Sequence, residues 1–344
     1  NGIMHNKFFI FDGRDAISTN DWLWTGSWNV TSTELTWKNN VVEINDPAIA
    51  SAYQTEFEEM WGGSDDLPNQ ANAKFGPLKT DNTPHTFNIG GKDVRLYFSP
   101  SDATTSKIVS EINLAHDDIY FAVYAYTRSD LANAMNSRFN SGVSIIRGIV
   151  DQVNTSGSQY NFLDTFAEMF PSNGNTQHHK YGTVDASLWQ SDPTTITGSQ
   201  NWSNAGENDN DENTLIIKDG LIANQYMQEF KKRYNETGGT GTFIVPVVGV
   251  EESEIAEFSY SLYQNYPNPF NPVTTIRFEV PISQQVELSV FDMLGREVKV
   301  LYNDFAPAGI VTVDFNANGL ASGVYFYRLK TQDFVTSKKL LLLK

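Results

Sequence analysis

Two short stretches of this sequence place histidine, lysine and aspartate at one fixed spacing. His5-Asn6-Lys7 is followed by four residues and Asp12, and His178-His179-Lys180 by four residues and Asp185. Behind each comes Gly-Ser-x-Asn, first Gly26-Ser27-Trp28-Asn29 and then Gly198-Ser199-Gln200-Asn201. Farther on, residues 40–61 align without a gap on residues 213–234, so the chain holds two copies of one half-site. These residue types suit the cleavage of a phosphodiester. Positions i and i+2 of a strand face the same side, so His5 with Lys7, and His178 with Lys180, are expected to project together. Two such strands would gather two imidazoles and two ammonium groups around one phosphate. One imidazole can attack phosphorus to form a phosphohistidine, while the other protonates the leaving alcohol and then activates water. Lys7, Lys180, Asn29 and Asn201, with the Ser27 and Ser199 hydroxyls, would stabilise charge on the non-bridging oxygens. Fixed cations and donors then stand where a metal would, so neither a metal nor a cofactor is expected.

The doubled His-x-Lys-x4-Asp motif followed by Gly-Ser-x-Asn resembles the phospholipase D superfamily. The motif is weak alone and strong as a pair, and it takes in three of the chain's five histidines, leaving His85 and His116 outside. The resemblance implies a two-lobed α/β sandwich and hydrolysis of a phospholipid head group. A nuclease using the same pocket is the alternative enzyme, and an inactive surface-displayed binding module the alternative of another class. Intact His, Lys and Asn in both copies argue against the module.

The remaining motif residues divide. Asp12 and Asp185 lie too far along an extended strand to reach their own histidines, so both are expected to be structural. Glu212, eleven residues after Asn201, is the candidate for fixing a histidine tautomer and supporting the cation that forms. In the first copy Asn39 and Asn40 hold the corresponding place, and an amide orients an imidazole without a compensating charge. On chemistry within each lobe this favours His178 as nucleophile, whereas the family resemblance favours the first lobe; the sequence leaves the choice open. Trp22, Trp24 and Trp189 are read as loop residues packing a lobe interface, and the acidic run 207–212 as solvated surface around the single functional Glu212.

Elements able to position these residues are legible around the second copy. From Val94, strand-like and helix-like segments alternate: strands at 94–98, 119–126 and 143–151, and helices at 106–115, 129–139 and 160–169. That order argues for helices packed on a sheet. The organisation read from the sequence is a part lobe at 1–62, a Gly/Pro/Asn-rich linker at 63–92, a second lobe at 93–236, a linker at 237–260 and a separate domain at 261–344. Since 84 positions separate Val94 from His178 and only four residues precede His5, the first lobe is expected to be incomplete, and the chain a fragment.

Charge sharpens the functional classes. The chain carries 24 basic and 41 acidic residues, a net −17, and no cysteine. Residues 1–260 hold a net −18 and residues 261–344 a net +1. A body so acidic opposes a polyanionic substrate more than a zwitterionic lipid. No apolar run approaches the ~20 residues that cross a bilayer. Zero cysteines exclude a disulfide framework, a thiolate metal site and a cysteine nucleophile.

After Ser261 short strands alternate with Pro, Gly and Asn turns, and Val286, Leu288 and Val290 share one face. This reads as an all-β, immunoglobulin-like sandwich. LYQNYPNPFNPVTTIRFEVP, VELSVFDMLGREVKVL, LASGVYFYRL and the terminal KKLLLLK resemble the C-terminal sorting domain of type IX secretion cargo. The resemblance implies the type IX machinery as partner of 261–344, and release from or attachment to the cell surface.

Overall fold

A computed structural model describes residues 2–14, 17–174, 176–187, 192–244, 260–281, 284–306, 309–332 and 334–343. The chain forms two compact units, residues 1–246 and 247–344. The two sequence copies therefore share one unit.

The first unit begins with a three-stranded antiparallel sheet of β1 (Phe8–Phe11), β2 (Trp22–Gly26) and β3 (Val41–Asn45), followed by helix α1 (Pro47–Trp61). Asp46 caps α1 by accepting from Ala48 and Ile49 N–H, Pro47 suits the first turn, and Gly62 ends it at φ 86°. A larger sheet follows, built from β4 (Thr86–Ile89), β5 (Lys92–Ser99), β6 (Asp118–Val123), β7 (Ile145–Val150), β8 (Glu168–Pro171), β9 (Lys180–Val184), β10 (Thr194–Gly198) and β11 (Glu212–Lys218). Its spatial order is β4-β5-β11-β10-β9-β6-β7-β8. Helices α2 (Thr104–Asn113), α3 (Ser129–Asn140), α4 (Tyr160–Leu163), α5 (Asn204–Asn208) and α6 (Gly220–Glu236) connect and cover it.

The repeat is visible in three dimensions. The run β1-β2-β3-α1 matches β9-β10-β11-α6, down to Asp219 capping α6 on Ile222 N–H as Asp46 caps α1. Leu23, Ile49 and Tyr53 of the first copy pack with Leu96, Phe98, Leu215 and Ile217 in one core, which joins the copies by burial of apolar surface. The outer edge of β1 has no strand partner among the described residues, and Phe9 and Phe11 on it are half exposed.

Several elements differ from the sequence reading. The stretch 63–92, read as a linker, contains β4 and the buried Lys79, which pairs with Glu56 and lies 3.6 Å from Asp211. Its turn-rich composition hid several anchored side chains, Lys74 and Thr80 on Glu59 among them. The helix expected over 160–169 is a single turn, and β8 follows it, pairing parallel to β7. Trp22 and Trp24 belong to β2 rather than to a loop; Trp24 packs on Phe9 and Trp28. Trp189 lies outside the described residues, as does most of the 237–260 linker.

The second unit pairs a three-stranded sheet, ordered β12-β13-β16, with a four-stranded sheet, ordered β15-β14-β17-β18. The strands are β12 (Ser261–Leu262), β13 (Val273–Val280), β14 (Gln284–Phe291), β15 (Glu297–Ala306), β16 (Gly309–Asn316), β17 (Gly323–Lys330) and β18 (Val335–Leu342). The expected inward face of β14 is there, with Val286, Leu288 and Val290 wholly buried against Ile276, Phe278 and Tyr327. This is the immunoglobulin-like sandwich anticipated from the alternation.

Candidate active site

The two motif histidines sit just ahead of the strands that were expected to carry them. His5 precedes β1, and its backbone N–H donates to Asp211 O at 3.0 Å; His178 precedes β9 and donates to Lys38 O at 2.8 Å. Each motif thus pairs with the segment leading into β3 or β11 of the other copy, and the crossing determines what orients each ring.

His5 Nδ1 lies 2.7 and 2.8 Å from the two carboxylate oxygens of Glu212, which is wholly buried. A carboxylate accepts, so Nδ1 carries the proton and the Nε2 lone pair is left for chemistry. His178 Nδ1 donates to Asn39 Oδ1 at 2.9 Å, which fixes the same tautomer through a neutral amide. The sequence reading had compared Glu212 with His178 and Asn39 with His5, lobe by lobe. In the fold the partners are exchanged, because the orienting residue comes from the opposite copy. The charge argument that favoured His178 as nucleophile therefore favours His5.

The serines also differ from expectation. Ser27 Oγ donates to Asn39 Oδ1 at 2.9 Å and Ser199 Oγ to Glu212 Oε2 at 2.7 Å. Each hydroxyl gives its proton to an orienting group. Lys7 Nζ donates to His5 O at 2.5 Å and Lys180 Nζ to His178 O at 2.8 Å, so each ammonium keeps two N–H groups. Asn29 Nδ2 donates to Glu34 at 2.5 Å, while Asn201 Oδ1 is buried without a hydrogen-bond partner.

The electrostatics show that both halves meet in one cluster. Burial pulls Lys7 down to about 8, opposed by the charges of Glu212 and Glu34. Lys180, only 1% exposed, is likewise held well below its ordinary value, by burial and then by the charge of Lys7. Burial, followed by the charges of Lys180, Lys7 and His5, holds the His178 imidazole down at about 2, which opposes the charged ring in the free protein. Trp37 and Tyr124 flank that ring at 5.3 and 5.0 Å between centroids.

The motif aspartates turn the chain. Asp12 and Asp185 both take left-handed backbone, φ 60° and 55°, at the end of their strands. Asp185 accepts from the backbone N–H of His116, Asp117 and Asp118, tying the start of β6 to β9. In the acidic run read as solvated surface, Glu207 accepts from Thr105 N–H and Asp211 from Gly76 N–H. Both have structural partners.

A residue the sequence reading passed over is Glu34, buried in the 3-10 turn Ser32–Thr36 with Oε2 3.4 Å from His178 Nδ1. The signal was there: Glu34 follows Asn29 by five residues, as Glu207 follows Asn201 by six. Behind the site, Asn213 accepts from Thr25 Oγ1 and the Tyr53 hydroxyl and donates to Asn6 Oδ1, bracing the copies. Asn40 answers it from the other copy, donating to Thr197 Oγ1.

Comparison with known proteins follows the two units. Residues 1–61 and 108–234, more than half of the chain, match the family described as cardiolipin synthase, PLD-like domain. Residues 264–343 match the secretion system C-terminal sorting domain. The mitochondrial cardiolipin hydrolase of Xenopus tropicalis is 29% identical over 140 residues, 40% of this chain and 63% of that protein. That of Mus musculus is 24% identical over 139 residues, 40% of this chain and 60% of that protein. The chain thus spans less than two thirds of the length of these curated relatives. Among solved structures, NucT from Helicobacter pylori is similar at a TM-score of 0.37 and 22% identity, over 43% of this chain and 99% of that one. Phosphatidylserine synthase from Haemophilus influenzae gives 0.47 and 15%, over 69% of this chain and 64% of that one. With its doubled motif folded into a single cluster and a type IX sorting domain that directs it to the outside of the cell or its surface, the chain belongs to the phospholipase D-like family.

Proposed function

We propose that this protein is a metal-independent phosphodiesterase acting on a phospholipid head group, with His5 as nucleophile and His178 as acid and base. The observation that carries this reading is the bidentate approach of Glu212 to His5 Nδ1. It leaves Nε2 a lone pair and supports the positive ring that forms on attack. In the first step the His5 Nε2–P bond forms, the P–O bond to the leaving alcohol breaks, and that oxygen takes a proton from His178. In the second, water attacks phosphorus, its proton passes to His178, and the N–P bond breaks. The free N–H groups of Lys7 and Lys180 would hold the non-bridging oxygens through both steps. The net −18 of residues 1–260 favours a zwitterionic lipid over a nucleic acid, and the cardiolipin hydrolases among the relatives make cardiolipin a natural second lipid to test.

The test is turnover of phosphatidylcholine, cardiolipin and single-stranded DNA side by side in excess EDTA, with phosphohistidine mapped by mass spectrometry. Lipid turnover indifferent to EDTA, with the phosphate on residue 5, is the expected result. Turnover of DNA alone would replace the lipid reading with a nuclease. Activity lost to EDTA and restored by a divalent ion would sink the mechanism.

A further inference from the structure

The proposed first step asks for a proton on His178 in a place that opposes one. The ring is buried and faces Lys180, Lys7 and His5, and its direct partner, Asn39, is neutral. The carboxylate beside it is Glu34, itself 5% exposed. Glu34 accepts from Asn29 N–H at 2.9 Å, from Asn29 Nδ2, and from Asn39 Nδ2 at 3.3 Å. A chain of contacts therefore runs from the Glu34 carboxylate through the Asn39 amide to His178 Nδ1, with Glu34 Oε2 also within 3.4 Å of that nitrogen. Its counterpart Glu207 has another job, accepting from Thr105 and from Gln200 Nε2. The internal repeat has diverged here, and only the first copy aims this carboxylate at a histidine.

We infer that Glu34 is a positioning residue that lets His178 carry the proton destined for the leaving alcohol. This rests on the two-histidine reading above. Negative charge one amide away stabilises the imidazolium and polarises the Asn39 carbonyl that receives Nδ1–H.

The test compares burst rates of the full chain and of Glu34→Gln and Glu34→Asp on two substrates. Bis(p-nitrophenyl) phosphate releases a phenolate that leaves without a proton; phosphatidylcholine releases an alcohol that needs one. Glu34→Gln should lower the phosphatidylcholine burst about 100-fold, the low end of what a positioned acid contributes, and the nitrophenyl burst by less than about 3-fold. Glu34→Asp should recover part of the loss. An equal fall on both substrates, or no fall on phosphatidylcholine, overturns the inference. If Glu34→Gln does not fold by near-UV circular dichroism, the same leaving-group comparison on Glu34→Asp decides. Failure of the unsubstituted protein to phosphorylate His5 on either substrate would instead refute the two-histidine reading.

Discussion

Replacing Glu212 by glutamine tests the crossed arrangement at its strongest contact. The amide is nearly isosteric, so Ser199 Oγ, 2.7 Å from Glu212 Oε2, keeps a partner, and the change is one of charge. A hydrogen bond to a charged group contributes about 1.5–3 kcal/mol net, roughly 10- to 150-fold in rate if it is gained only in the transition state. Two further effects raise the figure. The bond is bidentate at 2.7 and 2.8 Å, and Glu212 is wholly buried, where water screens little. Glutamine can also present N–H to Nδ1, which would move the histidine proton onto Nε2 and remove the nucleophile outright. We therefore expect kcat to fall about 10²- to 10⁴-fold, since tautomer loss at an orienting carboxylate reaches the upper value. KM should change little, because the lysines stay in place.

The assay is rapid-quench formation of phosphohistidine followed by mass spectrometry, with thermal melting as the check on folding. Asn39→Ala provides the contrast. If His5 is the nucleophile, Glu212→Gln suppresses phosphorylation, while Asn39→Ala still phosphorylates residue 5 given an activated leaving group. Phosphate on residue 178 in the unsubstituted protein, or a Glu212→Gln rate within about 3-fold of it, would refute the reasoning.

Three other outcomes are expected. Because burial holds Lys7 down to about 8, kcat/KM should fall as pH rises through about 8. Over the same range this lysine's contribution to stability rises, since the unfolded chain keeps the proton up to about 10.5; a pH-rate profile and a pH series of denaturant midpoints check the opposite signs. Asn213→Ala removes the acceptor of the Tyr53 hydroxyl and the donor to Asn6 Oδ1, while Thr25 Oγ1 keeps Lys7 O; at about 1–3 kcal/mol per unsatisfied buried group it should destabilise by about 2 kcal/mol or more in urea unfolding. Deleting 261–344 should leave turnover intact while the protein stays inside the cell, measured by fractionation; wild-type amounts outside would contradict the sorting role.

What the sequence made legible was local or repeated. The doubled motif, the strands and helices of 94–151 and the inward face of β14 all follow from spacings within a few residues. What it hid depends on contacts between distant segments. Read alone, each lobe appears to own its orienting residue, yet His5 meets Glu212 across 207 positions and His178 meets Asn39 across 139. Lys79 looked like part of a linker because its partners Glu56 and Asp211 lie 23 and 132 positions away. A one-residue difference in spacing concealed the kinship of Glu34 and Glu207. Alternation could not separate β8 from the end of a helix, since Glu168–Pro171 is four residues long and is held by pairing with β7.

The unequal partners of the two histidines suit unequal work. In the proposed reaction His5 gains positive character when phosphorus bonds to Nε2, and a full carboxylate on Nδ1 stabilises that state throughout. His178 must do something harder, giving up a proton in one step and accepting one in the next. A carboxylate bonded directly to it would favour the charged ring and weaken it as the base that activates water. A bare amide among two lysines would leave it unable to hold the proton at all. Asn39, with Glu34 behind it, lies between these limits and keeps both protonation states within reach. Exchanging the amide for a carboxylate separates the demands: Asn39→Asp should keep or raise the first-step burst on phosphatidylcholine while slowing breakdown of the phosphohistidine, so the intermediate accumulates. If both steps quickened together, the division of labour would be wrong, and the asymmetry of the two lobes would need another cause.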